Sequence, residues 1–194
     1  MVIGHRPAPA CRRRRPDARG WYHRPVPYLR DAEYADLPAV EAIHAEAARS
    51  GAATFDEVGR PAAWWRATLE SCDFEKGHLL LVAVSGDGTV LGYAKSGQFR
   101  DKAAYRTTCE TSIYLGTDHR GSGVGGALYR ELFARLDRGP LRLAVAGVTQ
   151  PNVASDRLHR ALGFEEVGTF TGVGTKFGRP WDVRWYQRML GGSR

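Results

Sequence analysis

Residues 112–129 read SIYLGTDHRGSGVGGALY, which is the pattern of a strand, a glycine-rich turn and a helix. The strand part is rich in β-branched and aromatic residues, and the helix part repeats apolar residues at every fourth position, which keeps them on one face. Glycines let a ligand approach the backbone closely, and the first N–H groups of a helix have no partner inside it. Together with the helix dipole they make a site for phosphate oxygens, beside which Arg120 places a positive charge.

The motif in this turn is not that of a P-loop, because no lysine follows the glycines. What it does match is R-x-x-G-x-G, through Arg120, Gly123 and Gly125. This segment resembles the pyrophosphate loop of the GNAT superfamily of acetyl-CoA-dependent N-acetyltransferases; the alternative is an ordinary glycine-rich turn. The resemblance implies acetyl-CoA as co-substrate. It assigns cofactor binding to one strand, this loop and one later side chain: Ile113, Tyr114, Leu115, Arg120, Gly121, Ser122, Gly123, Val124, Gly125 and Asn152.

Three segments narrow the resemblance to one branch of the superfamily. Residues 152–164, NVASDRLHRALGF, look like the helix beside the thiol end of the cofactor, with His159 where many members have tyrosine. That histidine, the TCETSIYL strand at 108–115 and the GTKFGRPWD segment at 174–182 are similar to phosphinothricin and methionine sulfone/sulfoximine acetyltransferases. The resemblance covers residues 28–190. It implies a small amino-acid-like amine as acceptor and a homodimer as the assembly.

Length and charge limit the other classes of function. The chain of 194 residues is long enough for one domain with a substantial core, and no apolar run approaches the ~20 residues of a membrane span. Residues 1–30 hold eight arginines and one acid, which accounts for the whole formal net charge of +7. We therefore predict a disordered Arg/Pro-rich tail at 1–26, an acetyltransferase domain at 27–190, and no membrane or specific nucleic-acid partner.

Cysteine and histidine positions predict neither a disulfide framework nor a metal site. The three cysteines are widely spaced and match no ligand pattern, which favours the reducing cytoplasm as the compartment. The histidines show no metal-ligand spacing either, so we expect no metal cofactor.

Periodicity predicts an α/β (α+β) fold with about seven strands and about four helices. The resemblance implies that they form a GNAT-type mixed, mostly antiparallel sheet flanked by the helices. Asp36 fits the N-cap of a first helix, and a second helix follows Pro61. Three antiparallel strands then lead into the phosphate-binding helix. Towards the C-terminus we expect a strand at 164–172, a glycine-rich loop at 172–180 and a last strand at 181–189.

Acetyl transfer needs a base, because an ammonium group has no lone pair for attack. Glu110 is the candidate, since it is an acid in an otherwise uncharged strand and the branch has its base there; the alternative is a carboxylate facing solvent at a strand edge. His159 is the second catalytic candidate, as proton donor to the leaving thiolate, as second base or as a packing residue. Tyr129 and Tyr114 are alternative proton donors. Backbone N–H groups near 113–115 suit the developing oxyanion if strand pairing is interrupted there, as the resemblance implies.

An amino-acid-like acceptor carries a carboxylate, which a guanidinium fork binds well. Arg100 and Arg106 lie in the loop before the Glu110 strand, and we predict both as substrate anchors; the alternative is a solvated charged loop. Lys176 and Arg179 are a further pair that can reach the same pocket, within one chain or across a dimer.

Two other classes of function stay open from the sequence. One is acetylation of a different amine, such as a polyamine, an aminoglycoside or a protein N-terminus. An acidic acceptor cleft favours such cationic amines, and Arg100 and Arg106 argue against it. The other is a non-catalytic module that binds acyl-CoA, or that uses its arginine tail to bind nucleic acid.

Overall fold

The structure is a computed structural model that describes residues 27–191, so the tail predicted at 1–26 lies outside the described residues. Within that range it has seven strands and four helices, as predicted. The strands are β1 (Tyr28–Asp31), β2 (Leu79–Val84), β3 (Val90–Gln98), β4 (Thr108–Leu115), β5 (Leu143–Thr149), β6 (Glu165–Lys176) and β7 (Arg179–Met189). The helices are α1 (Leu37–Ser50), α2 (Ala62–Glu70), α3 (Val124–Leu136) and α4 (Val153–Ala161).

The strands form one sheet in the order β1-β2-β3-β4-β5-β7-β6. Neighbouring strands are antiparallel except β4 and β5, which run parallel and are connected through α3. A parallel pair needs such a crossover connection, whereas the antiparallel pairs β2–β3 and β6–β7 are closed by short turns. The predicted mixed, mostly antiparallel sheet is confirmed.

The helices cover the two faces of the sheet in pairs. Helices α1 and α2 pack on one face, where Val40 and Trp65 are completely buried against β2 and β3. Helices α3 and α4 pack on the other face. The apolar stripe of α3 lies in that second core, as its spacing predicts: Val124, Leu128, Leu132 and Leu136. Strand β2 is buried on both faces, which explains its continuous apolar sequence.

The parallel strands β4 and β5 separate part-way along their length. Their pairing is confined to Thr108–Glu110 of β4 and Leu143–Val145 of β5. Beyond Glu110 the two strands diverge, while β4 stays paired with β3 as far as Leu115. The interruption of pairing that the resemblance implied is therefore present, and it leaves an opening between the two strands.

The prediction of a glycine-rich loop at 172–180 is wrong. Strand β6 continues to Lys176, and the chain turns only at Phe177 and Gly178 before β7 begins. The glycines instead accompany a register shift between Phe170 and Gly174, where β6 bulges against β7. A glycine in a strand often marks a bulge, but only the cross-strand pairing distinguishes a bulge from a loop.

Asp36 stands at the N-cap position of α1, but its carboxylate does not cap that helix. It instead pairs with Arg30 of β1, at 2.6 and 2.9 Å, and accepts the N–H of Glu33 at 2.7 Å. The reason is a short 3-10 turn at Tyr34–Asp36 that precedes α1 and uses the aspartate as its own third residue. These contacts of Asp36 stabilise the turn that leads into α1 and fix it to β1.

Candidate active site

A cleft of about 450 Å³ opens where β4 and β5 diverge. The end of α1, the second half of β4, the loop before α3 and the start of α4 form its walls. Eight of the ten predicted cofactor-binding residues line it: Ile113, Tyr114, Leu115, Arg120, Gly121, Gly123, Gly125 and Asn152. Of the other two, Ser122 turns its hydroxyl to the carbonyl oxygen of His119, and the side chain of Val124 is buried in the α3 core.

The loop before α3 presents backbone N–H groups to this cleft. Gly121 and Gly123 have φ angles of 73° and 90°, a left-handed conformation that a side chain would strain. Gly123 is the N-cap of α3 and no described side chain caps this helix, so the N–H groups of Val124 to Gly126 stay available to a ligand. Arg120 is exposed beside them. This arrangement suits a pyrophosphate group.

The free edge of β4 carries further donors. Gly116 donates its N–H to Leu91 O at 2.9 Å, and such bonds alternate along an antiparallel strand. Tyr114 therefore directs its N–H to β3, whereas Ile113 and Leu115 direct theirs towards the opening. Of the three residues expected to supply oxyanion donors, these two have the required direction.

Glu110 is the last residue of β4 that pairs with β5, so it stands where the opening begins. Its side chain lies on the α1–α2 face, like that of Tyr114, because alternate residues of a strand share a face. Partial desolvation raises the pKa of its solvent-accessible carboxylate, and the charges of Lys95 and Arg100 limit that rise. A carboxylate with a raised pKa is a stronger proton acceptor.

His159 lies on the opposite face of the sheet, in α4, and is 2% exposed. Its Nδ1 is 2.8 Å from Ser155 O, and because a carbonyl oxygen only accepts, Nδ1 carries the proton. Burial lowers the pKa of the imidazole, against the hydrogen bond to Ser155 and the charge of Asp156. The ring is therefore neutral near pH 7 and its Nε2 is an acceptor. That nitrogen is buried without a hydrogen-bond partner among residues 27–191.

A pocket of about 70 Å³ connects the opening to His159. Tyr129 also lines it, with its ring edge-on to the imidazole at 5.5 Å between centroids. Burial raises the pKa of Tyr129 far above its ordinary value, so the phenol keeps its proton. Asn152 lies at the boundary between this pocket and the larger cleft. Its Oδ1 caps α4 by accepting the Ser155 N–H at 3.1 Å, which leaves its Nδ2 to face a ligand.

The structure separates the two predicted substrate arginines. Arg100 lies over the ring of Phe99 at 4.8 Å and is near enough to Glu110 to lower the pKa of that carboxyl group. Arg106 lines a different cavity of about 470 Å³ at the start of β4 and donates to Ala103 O at 3.3 Å. That cavity shares no lining residue with the cofactor cleft. Only the first arginine is thus brought beside the candidate base.

The Lys176 ammonium group is hydrogen-bonded to backbone carbonyl oxygens and does not face the acceptor pocket. Its side chain is 2% exposed, and its Nζ donates to Gly51 O at 2.9 Å and to Thr54 O at 2.7 Å. These bonds tie the β6–β7 hairpin to the loop after α1, which forms part of the cleft wall. Arg179 stacks on Trp181 at 3.7 Å.

No local motif in the sequence signals the side chains on the Glu110 side of the sheet. Lys95 of β3 lies on the same face, with its Nζ 5.8 Å from the centre of the Trp64 ring of α2. Phe99 and Trp185 of β7 meet edge-on at 6.1 Å between centroids. These side chains come from separate segments that only the strand register brings together, so no local motif signals them.

A partly buried polar cluster, which no local motif signals, fixes the loop between α1 and α2. His44 lies in the middle of α1, and its two ring nitrogens are 2.9 Å from Tyr93 Oη and 2.8 Å from an oxygen of Asp56. Asp56 is in turn paired with Arg60 at 2.6 Å. The cluster holds this loop over the sheet and neutralises the charge of Arg60.

Comparison with known proteins decides the family. The family described as "Acetyltransferase (GNAT) family" matches residues 38–164, which run from the first turn of α1 to the residue before β6. The chain belongs to this family. The matched stretch contains the glycine-rich loop, Glu110 and His159, and the predicted superfamily is confirmed.

Individual relatives are similar to the predicted branch. A "Phosphinothricin N-acetyltransferase" of Streptomyces coelicolor is 50% identical over 101 residues, which cover 52% of this chain and 59% of that protein. An "L-methionine sulfoximine/L-methionine sulfone acetyltransferase" of Pseudomonas paraeruginosa is 38% identical over 170 residues, which cover 86% and 96%. The crystal structure of a GNAT superfamily phosphinothricin acetyltransferase from Sinorhizobium meliloti is 38% identical, with a TM-score of 0.79 and coverage of 86% and 89%. The chain spans about three fifths of the Streptomyces coelicolor and Streptomyces griseus relatives.

Acetyl-CoA is the co-substrate of this acetyltransferase family, and the Sinorhizobium structure is a complex with it. The N–H groups before α3 and along β4 fit such a ligand, since no acceptor among residues 27–191 pairs with them on the cleft side. Within residues 27–191, no group of three or more His, Cys, Asp or Glu side chains is placed to hold a metal ion. In the same part of the chain, no helix is long and apolar enough to cross a bilayer.

Proposed function

We propose that this acetyltransferase moves the acetyl group of acetyl-CoA directly to the amine of a small amino-acid-like acceptor. The acceptors we propose are of the phosphinothricin or methionine sulfone/sulfoximine type. The observation that carries the proposal is the position of Glu110 at the point where β4 and β5 diverge. There a carboxylate on the α1–α2 face adjoins an opening whose edge holds the N–H groups of Ile113 and Leu115. An amine and a thioester can therefore meet at one place.

Direct transfer needs no nucleophile from the protein. Cys109, the cysteine next to Glu110, is 1% exposed, and burial raises the pKa of its thiol to about 12. A thiol of this kind stays protonated and unreactive near neutral pH. This supports attack by the substrate amine itself on the thioester.

We assign Glu110 as the base that takes a proton from the acceptor ammonium group, directly or through one water. The N–H groups of Ile113 and Leu115 donate to the thioester carbonyl oxygen, which becomes negative as the amine attacks. His159 is a second proton acceptor, because its Nε2 has a lone pair and no described partner. Tyr129 keeps its proton and donates a hydrogen bond to the leaving sulfur.

The acceptor class is supported by the charge beside the base. Arg100 lies close to Glu110, so a ligand whose ammonium group binds the carboxylate can place its own carboxylate at the guanidinium. The names of the relatives, phosphinothricin and methionine sulfoximine or sulfone acetyltransferases, point to the same class of amino-acid analogue. Arg106 is proposed as an anchor from the sequence alone, and its cavity gives that role no further support.

The test measures thiol release from acetyl-CoA with a panel of amines: L-phosphinothricin, L-methionine sulfone, plain amino acids, polyamines and an aminoglycoside. We expect turnover with the amino-acid analogues and a fall in kcat of about 10²- to 10⁴-fold in Glu110→Gln, with acetyl-CoA affinity retained. Glu165→Gln, at an exposed position of β6, is the matched control. Turnover confined to cationic amines contradicts the acceptor class. An unchanged kcat in Glu110→Gln removes that residue from the mechanism.

We also propose a homodimer, formed through the outer edge of the sheet. Strand β6 is the edge strand, and it exposes three apolar side chains: Val167, Phe170 and Val173, at 61%, 60% and 57%. Exposed apolar edges are commonly covered by another chain. The molar mass from light scattering tests this; a monomer at micromolar concentration contradicts it.

The proposed compartment is the cytoplasm. Cys72 and Cys109 are free thiols, and a reducing compartment keeps thiols in that state. Fractionation of cells that express the full chain tests this, and recovery outside the cytoplasmic fraction contradicts it.

A further inference from the structure

Glu110 lies between two cationic side chains along the direction of the strands. Lys95 stands on β3 opposite Ser112, two residues nearer to the cofactor end, whereas Arg100 follows the other end of β3. Lysine on a neighbouring strand at this diagonal position is within reach of the same ligand as the carboxylate. None of the three charged groups takes part in an ion pair among the described residues. Each of the three is thus free to pair with a charged group of a ligand.

Trp64 of α2 holds Lys95 in place. The Lys95 Nζ lies 5.8 Å from the centre of its ring, and the guanidinium carbon of Arg60 lies 5.3 Å from the same centre. Arg60 is already paired with Asp56 at 2.6 Å, whereas Lys95 has no carboxylate partner of its own among residues 27–191. Burial lowers the pKa of the Lys95 ammonium group, with Glu110 opposing that shift. A partly desolvated cation without a counter-ion gains free energy when it binds an anion.

We propose that Lys95 is a second anion-binding group of the acceptor site, and that the site selects amino acids whose side chain ends in an anionic group. The proposal rests on the proposed function. The acceptor's ammonium group lies at Glu110, its α-carboxylate at Arg100 and its second acidic group, such as a phosphinate, at Lys95. In the site, the Glu110 carboxylate lies between the cations Lys95 and Arg100. In the ligand, the ammonium group lies between two acidic groups, so the two charge patterns are complementary. A neutral side chain leaves Lys95 without a counter-ion and is bound less well.

L-Phosphinothricin and L-methionine sulfone are a matched pair of acceptors for the test. Both side chains end in a tetrahedral centre that carries one methyl group and two oxygens, and only the phosphinate is charged. The measured quantity is the ratio of kcat/KM for the two acceptors. Lys95→Met keeps the length of the side chain without its charge, and we expect this ratio to fall about 10- to 100-fold, the range of one hydrogen bond to a charged group.

Two further variants control the experiment. Lys95→Arg keeps the charge and should retain most of the preference for phosphinothricin. Lys76→Met removes an exposed lysine that is paired with Asp73 outside the cofactor cleft, and it should leave the ratio unchanged. Where Lys95→Met fails to fold, Lys95→Gln provides the uncharged side chain with a polar end.

Removing Lys95 also removes a charge that lowers the pKa of Glu110, so that pKa rises in the variant. At low pH less of the base is then ionised, and the acetylation of both acceptors slows by the same factor. The ratio of kcat/KM for the two acceptors, measured at a single pH, cancels this common factor. The second anion site is overturned if Lys95→Met leaves the kcat/KM ratio of the two acceptors unchanged. This holds whether the variant acetylates both acceptors more slowly or at the wild-type rate. Failure of the wild-type chain to acetylate either acceptor contradicts the proposed function, and this proposal falls with it.

Discussion

Replacing Lys176 by methionine removes a buried cation that joins the β6–β7 hairpin to the wall of the cofactor cleft. Its Nζ donates at 2.9 and 2.7 Å to Gly51 O and Thr54 O, and the side chain is 2% exposed. A hydrogen bond that involves a charged group contributes about 1.5–3 kcal/mol, so two set an upper limit of about 6 kcal/mol. Burying the ammonium group offsets part of this, and water can reach the half-buried loop once its carbonyls are released. We therefore expect the free energy of unfolding to fall by about 2–3 kcal/mol.

For a domain of this size, 1 kcal/mol corresponds to about 2–4 °C in Tm, so Tm should fall by about 4–12 °C. Circular dichroism measures the transition, and calorimetric titration measures the affinity for acetyl-CoA. We expect that affinity to fall as well, because Gly51 and Ala53 line the cleft. Lys76→Met, an exposed substitution, should change neither quantity.

The pH dependence gives an independent check of the burial of the Lys176 ammonium group. Burial lowers the pKa of Lys176 below its ordinary 10.5, so near that pH the unfolded chain binds more protons than the folded one. Stability rises with pH wherever the unfolded state binds more protons, and the methionine variant lacks this contribution. The difference in unfolding free energy between wild type and variant should therefore grow as pH rises towards 10.5. An unchanged Tm, or a difference that shrinks with rising pH, refutes the reasoning.

Three further substitutions test the site. The pKa of Glu110 is raised in the folded protein, so the ionised carboxylate lowers the stability of the fold at pH 7. Glu110→Gln should therefore have an equal or higher Tm than the wild type at pH 7, and the difference should vanish below about pH 4, where the carboxyl group is protonated in both states. A lower Tm of the variant at pH 7 contradicts the desolvation of Glu110. His159→Phe should keep the aromatic packing at 5.0–5.5 Å and lose about 10²-fold in kcat; an unchanged kcat reduces the histidine to packing. At Gly125 a Cβ would come within 3.3 Å of Leu115 Cδ1, so Gly125→Val should cost about 1–3 kcal/mol in stability and weaken acetyl-CoA binding, and unaltered binding shows that α3 can shift.

The sequence predicted those parts of the molecule whose signal is local. The apolar repeat of α3 and the glycines before it lie within one short segment, so the helix, its buried face and the phosphate loop follow from adjacent residues. The end of β6 did not follow, because Gly172 and Gly174 suit a loop and a bulged strand equally well. Only the pairing with β7 decides between the two, and that pairing is set by contacts far along the chain.

The same distinction separates the two sides of the active site. Cofactor binding rests on backbone groups of one continuous segment, the end of β4 and the start of α3, and a motif can encode that. The acceptor side is assembled from side chains of α2, β3, β4 and β7, whose meeting depends on the register Lys95↔Ser112 and Gly147↔Trp185. Because these side chains do not form the phosphate loop, they can change without loss of acetyl-CoA binding. Substitutions at Lys95 or Trp64 should accordingly alter the KM for the amine and leave the KM for acetyl-CoA unchanged, whereas Gly125→Val should do the reverse.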